Sequence, residues 1–143
     1  MIVRKNKNIF SYLYIRWLEE GFAGTSFNTP LEISNTRGLK IKQFSTNIDT
    51  LVYKLGVPCP NYLKIDVDGI EHLILEGASD YLDNSEIRSM SIELNENFKD
   101  QVNSVLKIMD KSNFRFKHKK HASMFDNSDK FSKIFNYIFE KQK

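Results

Sequence analysis

The sequence predicts an α/β protein built on one mostly parallel sheet, and three observations support that prediction. Strand-like apolar stretches alternate with helical stripes between residues 39 and 111, an order typical of parallel sheets. Two further strand-like stretches, FRFKH and KIFNYIFEK, come near the end of the chain. The 143 residues, of which 41% are apolar and 27% charged, are enough to bury one core. We therefore expect a single globular domain.

The first 37 residues are predicted to form a helix and a loop that lead into this domain. Between Asn8 and Glu20, apolar side chains recur at helical spacing: Ile9, Phe10, Leu13, Tyr14, Trp17 and Leu18. The stretch EGFAGTSFNTP contains two glycines and a proline, so it is predicted to be a loop. The domain boundaries expected are residues 1–37 for this lead-in and residues 38–143 for the sheet and helices.

The body of the domain begins with a strand and a short helix. Leu39, Ile41 and Phe44 lie between polar neighbours, which indicates a strand. Asn47 can cap a helix that continues through Leu55, because its side chain can accept a hydrogen bond from a free helical amide. Gly56 is a stop signal for this helix.

Two strand–helix units follow. NYLKIDV is predicted to be a strand that leads into a helix from Gly69 to about Leu75. IRSMSIEL alternates, which predicts a second strand with Met90, Ile92 and Leu94 on one side. Apolar residues at helical spacing then predict a helix from about Phe98 to Lys111.

Charge and composition exclude several classes of protein. The net charge of +3 is small for a nucleic-acid-binding domain of this size. A basic run from Lys111 to Lys120 is predicted to be a solvated surface loop, with contact to an anionic surface as the alternative. Cys59 is the only cysteine and no apolar run is long enough to span a membrane, so we expect a cytoplasmic protein.

The stretch YLKIDVDGIE predicts a functional site. It carries Asp66, Asp68 and Glu71 to the carboxyl end of a strand, where open α/β sheets bind ligands. Gly69 permits a tight turn there. The acids could orient or deprotonate a substrate hydroxyl, or they could bind a hard divalent cation. Asp68 could also simply cap the following helix.

Four longer strings form a pattern along the chain. They are SFNTP, then FSTNIDTLVYKLGVPCPNYLKIDVDGIEHLILEGASDYL, then IRSMSIELNEN and FNYIFEK. In order and spacing, from about Gly21 onward, they resemble the FkbM family of S-adenosylmethionine-dependent methyltransferases. The resemblance implies a Rossmann-like seven-stranded methyltransferase sheet and S-adenosyl-L-methionine as cofactor. It also implies methylation of a hydroxyl on a small-molecule acceptor, a sugar or glycan.

The resemblance also implies roles for individual residues. Asp66, Asp68 and Glu71 match the family's acidic signature after the fourth strand and are the predicted catalytic residues. Asp66 and Gly69 are the predicted cofactor-binding residues, and no metal ligands are predicted. The substrate-side candidates are His72, since histidine is a common general base, and two residues at the end of the next strand, Glu93 and Asn95.

The glycine-rich loop that such enzymes place after their first strand is not found in the sequence. GFAGTS is a candidate, but no apolar strand precedes it and Pro30 follows it. We therefore expect the chain to correspond to the C-terminal part of the fold, to be inactive alone, and to expose a sheet edge at which it could associate with itself. Two alternatives are a glycosyltransferase that binds a metal through Asp66 and Asp68, and a non-catalytic partner module.

Overall fold

The computed structural model describes residues 10–15, 25–27, 39–67, 69–121, 123–129 and 131–143. The strands are β1 (Phe10–Ile15), β2 (Thr25–Phe27), β3 (Leu39–Phe44), β4 (Tyr62–Ile65), β5 (Ser89–Asn95), β6 (Phe114–Lys120) and β7 (Ile134–Lys141). The helices are α1 (Glu71–Glu76), α2 (Ser79–Leu82) and α3 (Lys99–Lys111). A π-helical turn spans Thr50–Lys54 and a 3₁₀ turn spans Ser123–Phe125.

The larger sheet has four strands in the order β4-β5-β7-β6. The β4–β5 pair is parallel, whereas β7 is antiparallel to both of its neighbours. The prediction of a mostly parallel sheet is therefore wrong at the level of pairings, although β4, β5 and β6 all run in one direction. The difference arises because β7 follows β6 without an intervening α-helix in the described part of the chain, and such a connection favours an antiparallel neighbour.

The core lies between this sheet and the helices. Met90, Ile92 and Leu94 of β5 are each at most 1% exposed, and they belong to one apolar cluster with residues of α1 and α3. Because side chains alternate along a strand, Ser91 and Glu93 lie on the opposite face. The predicted strand, its alternation and the helix over residues 98–111 are confirmed.

A second sheet, with the order β2-β1-β3, corrects the prediction for the lead-in. Phe10–Ile15 is a strand, antiparallel to both β2 and β3, and not part of a helix. Thr25–Phe27 is also a strand, within the predicted loop. The reason is that FSYLYI is rich in aromatic residues that favour strands, and cross-strand pairing outweighs a helical period seen in a short window. The remainder of the predicted helix and loop lies outside the described residues.

The short helix predicted after β3 is confirmed, with its amino-terminal cap. The side chain of Asn47 accepts a hydrogen bond from the backbone N–H of Thr50 through Oδ1, at 2.7 Å. The helix contains the π-helical turn and ends before Gly56, which adopts a φ of 68°. Glycine is favoured there because other residues are strained at positive φ.

Asp49, within the same segment, ties it to α2. Its carboxylate accepts hydrogen bonds from the backbone N–H groups of Tyr81 at 2.8 Å and Asp80 at 3.2 Å. The hydroxyl of Ser79 also donates to it, at 3.4 Å. A residue 30 positions earlier in the chain therefore satisfies free amides at the start of α2, which lacks a capping side chain of its own.

The basic run lies largely on β6 and is not a loop. Lys119 forms an ion pair with Glu96, and Lys117 forms one with Glu140. The hydroxyl of Tyr137 also donates to Glu96, at 2.5 Å. The hydrogen bonds from Lys119 and Tyr137 lower the pKa of Glu96 below its ordinary value. In the part of the chain that the structure describes, no helix is long and apolar enough to cross a membrane.

Candidate active site

An open cleft of about 810 Å³ lies between the amino-terminal ends of α1 and α3. These ends follow the carboxyl ends of β4 and β5, the edge at which α/β sheets bind ligands. The volume is within the range of small-molecule sites. The residues that line the cleft are Gly69, His72, Asn97, Phe98, Lys99, Asp100, Gln101 and Ser104.

Gly69 contributes backbone to the wall of the cleft. Its φ of 108° is a conformation that residues with a Cβ rarely adopt, so the turn after β4 favours glycine. Among the described residues, no heavy atom outside its chain neighbours lies within 4 Å of the position that a Cβ would occupy. The turn therefore presents open backbone to the cleft, and Gly69 is one of two sequence-predicted residues in the described part of the chain that line it.

Glu71 is buried and bonded to the protein. Its side chain belongs to a residue only 2% exposed. Oε1 accepts hydrogen bonds from the N–H groups of Gly69 at 3.1 Å and Val67 at 3.3 Å. Oε2 accepts one from the side-chain Nε2 of Gln101. Three donors thus compensate the cost of burying a carboxylate, and its oxygens are directed at the protein.

Asp66 lies on the surface and has a different partner. Its Oδ2 is 2.7 Å from the ammonium nitrogen of Lys64, and both side chains are well exposed. This hydrogen bond raises the pKa of Lys64, and the negative charge of Glu93 on β5 contributes further. Asp66 and Glu71 therefore do not form one carboxylate cluster: one is paired with Lys64 at the surface and the other is buried.

His72 lines the cleft from the first turn of α1. Its Nδ1 atom is buried and has no hydrogen-bond partner among the described residues. Buried polar atoms without a partner are uncommon in folded proteins, and a bound ligand is one explanation for such an atom beside a cleft. Of the sequence-predicted side chains that the structure describes, His72 is thus the one that lines the cleft.

The remaining candidates lie around this region. Oδ1 of Asn95 accepts a hydrogen bond from the N–H of Asn97 at 3.0 Å, which shapes the connection from β5 to α3. Glu93 lies on β5 and, like Asn95, is not among the residues that line the cleft. Asp68 lies outside the described residues. The roles predicted for all three stay predictions.

The sequence did not single out the residues that α3 and the turn before it contribute to the cleft. None of these residues was predicted to belong to a site: Asn97, Phe98, Lys99, Asp100, Gln101 and Ser104. For Gln101, helical spacing in the sequence does indicate a position on the buried face of α3. It is four residues before Val105 and eight before Met109, both fully buried. A polar residue on the buried stripe of a helix requires a hydrogen-bonding partner, and that partner is Glu71.

No cluster of three or more His, Cys, Asp or Glu residues suited to a metal ion occurs among the described residues. Because Asp68 is not one of them, metal binding by the Asp66–Asp68 pair stays untested. The alternative of a metal-dependent glycosyltransferase therefore has no support from the geometry of the described residues.

Comparison with known proteins complements this geometry. A search of curated proteins and a search of solved structures each returned no match. The Methyltransferase FkbM domain, by contrast, matches residues 6–136. The match spans nearly the whole chain up to the start of β7, including the cleft and the acidic turn after β4, and it confirms the resemblance found in the sequence. The chain belongs to the FkbM family of methyltransferases.

Proposed function

We propose that the protein transfers a methyl group from S-adenosylmethionine to a hydroxyl oxygen of a sugar or glycan, in the cleft between α1 and α3. Membership of the family supports methyl transfer in general. The observation that carries the proposal is the position of His72, which lines a cleft of ligand size at the carboxyl edge of the sheet.

Asp66 and Gly69 are the residues we assign to the cofactor. An exposed carboxylate at a strand end can accept hydrogen bonds from hydroxyl or ammonium groups of such a ligand. The open backbone at Gly69 permits close approach, since no heavy atom of the described residues, beyond its chain neighbours, would contact a Cβ there. When bound, S-adenosylmethionine supplies an electrophilic methyl group on a sulfonium that leaves as a neutral thioether.

The lining of the cleft suits a hydroxylated acceptor. His72, Asn97 and Ser104 can donate or accept hydrogen bonds, which a sugar's hydroxyl groups would exchange with them. The side chain of Phe98 is 57% exposed and offers an apolar surface beside these polar groups. A few polar groups around an aromatic side chain are typical of sites that fix the orientation of a small ligand.

The protein's chemical task would be to position the acceptor oxygen and to take its proton. As the oxygen–methyl bond forms, the carbon–sulfur bond breaks and the hydroxyl proton leaves. His72 would take up this proton on its imidazole ring, since catalytic hydrogen bonds often form only in the complex with substrate. Asp68 stays our candidate for orienting the hydroxyl, with Glu93 and Asn95 as further residues of the same rim.

The test is an assay, with methyl-labelled S-adenosylmethionine and a panel of sugars and glycans, of the protein that carries these 143 residues. We expect His72→Ala to lower kcat by roughly 10²–10⁴-fold, the usual contribution of a general base. Asp66→Asn should mainly raise the KM for the cofactor. Glu76→Gln, at an exposed position of the same helix, is the matched control. Full activity in both the His72 and Asp66 variants would refute the assignments.

We also propose the cytoplasm as the protein's location, and a small-molecule or glycan acceptor, not a nucleic acid, as its partner. Cys59 is a free thiol, which fits a reducing compartment. Two of the basic side chains on β6, Lys117 and Lys119, form ion pairs with acids of the same protein. Those charges are therefore less available to a phosphate backbone.

A further inference from the structure

We infer that Glu71 and Gln101 form a positioning pair that holds the turn after β4 against α3 and so fixes the shape of the cleft. This inference rests on the proposed function, because it assigns a role in methyl transfer to residues that need not touch the reactants. It also replaces the prediction that Glu71 is a catalytic residue with a different role for the same side chain.

The first argument is the burial of the pair. Glu71 is 2% exposed and Gln101 is 8% exposed, so neither side chain is free in solvent. Among the described residues, the backbone N–H groups of Val67 and Gly69 and the side chain of Gln101 donate to this carboxylate. A carboxylate held in this way is suited to organising its surroundings, since moving it to a substrate would leave those donors unpaired.

The second argument is what the carboxylate holds. The N–H groups of Val67 and Gly69, on either side of Asp68 in the sequence, both donate to Oε1. Binding these two amides to one oxygen restrains Val67 and the cleft-lining Gly69. Glu71 thus holds the backbone that follows Asp66 in place.

The third argument is that the pair connects the two walls of the cleft. Glu71 begins α1 and is followed directly by His72, whereas Gln101 lies in the first turn of α3. The hydrogen bond between Gln101 Nε2 and Glu71 Oε2 therefore sets the distance between the two helix ends. Small displacements of reacting groups cost large factors in rate, so such a bond affects turnover without contacting the acceptor.

The chemistry of the pair allows a test in which the glutamate and the glutamine are swapped between positions 71 and 101. Gln101→Glu places two carboxylates against each other in a buried site, which is unfavourable. Adding Glu71→Gln restores one amide and one carboxylate, with the same atoms and charge exchanged between the two positions. The amide oxygen at position 71 could still accept from Val67 and Gly69, and its NH₂ group could donate to the carboxylate at position 101.

The test measures hydrogen exchange of the Val67 and Gly69 amides by NMR in the full-length chain, with the Ile92 amide of β5 as the internal control. Gln101→Glu should accelerate exchange at both turn amides by about tenfold or more, as expected for loss of a charge-assisted hydrogen bond. The double variant, which combines Gln101→Glu with Glu71→Gln, should return both hydrogen-exchange rates to within about threefold of the original protein. The hydrogen-exchange rate of the Ile92 amide should stay unchanged in the double variant.

Methyl transfer is the second measurement. We expect kcat to fall in Gln101→Glu and to recover in the double variant, which a catalytic carboxylate at position 71 would not allow. If Gln101→Glu fails to fold, recovery of folding in the double variant supports the pair. Two results would overturn the inference: unchanged hydrogen-exchange rates of the Val67 and Gly69 amides in Gln101→Glu, or a double variant that recovers neither these rates nor folding. If the protein transfers no methyl group, the proposed function is refuted. The hydrogen-exchange rates of the Val67 and Gly69 amides then decide by themselves whether Glu71 and Gln101 act as a positioning pair.

Discussion

Asp49 shows how one side chain connects two segments that are distant in sequence. It accepts hydrogen bonds from the N–H groups of Tyr81 and Asp80 and from the hydroxyl of Ser79. Asp49→Ala should lower the free energy of unfolding by about 1–2 kcal/mol, the range measured for loss of a helix cap. Urea unfolding followed by circular dichroism measures this change.

The control for Asp49 is Asp80→Ala. Asp80 is an exposed acid in the first turn of α2, so its removal tests the general effect of negative charge there, a few tenths of a kcal/mol. Equal stabilities of the Asp49 and Asp80 variants would show that the cap contributes nothing. Asp49→Asn should retain part of the stability, because its side-chain oxygen can still accept a hydrogen bond.

At the residue scale, the sequence located the acidic turn but did not reveal the surroundings of each acid. The order strand, acids, glycine, helix correctly predicted that a strand is followed by a helix here, although β4 ends at Ile65, two residues before the predicted end, and α1 begins at Glu71, two residues after the predicted start. Whether an acid is buried depends on partners elsewhere in the chain, such as Gln101 for Glu71 and Lys64 for Asp66. Gln101 is 30 residues from Glu71 in the sequence, so no local pattern predicts that the two side chains are in contact.

Glu96, directly after β5, makes a pH-dependent contact with β6 and β7. The hydrogen bonds from Lys119 and Tyr137 lower the pKa of Glu96 in the folded protein. A carboxyl whose pKa is lower in the folded than in the unfolded state stabilises the fold above its unfolded pKa. With an ordinary value of 4.5, that contribution is complete above about pH 4.5 and is lost as the pH falls through the lower, folded value.

The prediction is therefore a steeper loss of stability on acidification in the original protein than in Glu96→Gln. Urea unfolding between about pH 3 and pH 7 covers the range in which the carboxyl titrates. Glu140→Gln removes the exposed partner of Lys117 and leaves Glu96 intact, so it should retain the steeper loss. Parallel pH profiles for the original protein and Glu96→Gln would contradict this role of Glu96.

At the element scale, sequence patterns worked best where the chain packs on its own core. β5 and α3 were predicted almost to their ends, because burial imposes a clear period on each. β1 was mistaken for a helix, since its strand conformation depends on pairing with β3, which no local pattern encodes. The antiparallel placement of β7 between β5 and β6 is likewise a property of the assembled sheet.

At the scale of the whole molecule, β4 and β6 are the edges of the four-stranded sheet in the described part of the chain. Tyr62, on β4, is 66% exposed. Because sheet edges can pair with another chain, we propose that copies of the protein associate through β4. Sedimentation velocity should show larger species as concentration rises, and Tyr62→Lys should reduce them, since edge lysines oppose such pairing. A monomer at all concentrations would contradict this proposal.

The central claim is that the cleft between α1 and α3 is the site of methyl transfer. The most direct measurement is an NMR titration of the ¹⁵N-labelled full chain with S-adenosylhomocysteine, which has the cofactor's structure without the transferable methyl group. We predict saturable shift changes concentrated at Gly69, His72 and the first turn of α3, and weaker changes in Asp66→Asn. Saturable changes confined to other parts of the chain, or none at millimolar ligand, would contradict the account.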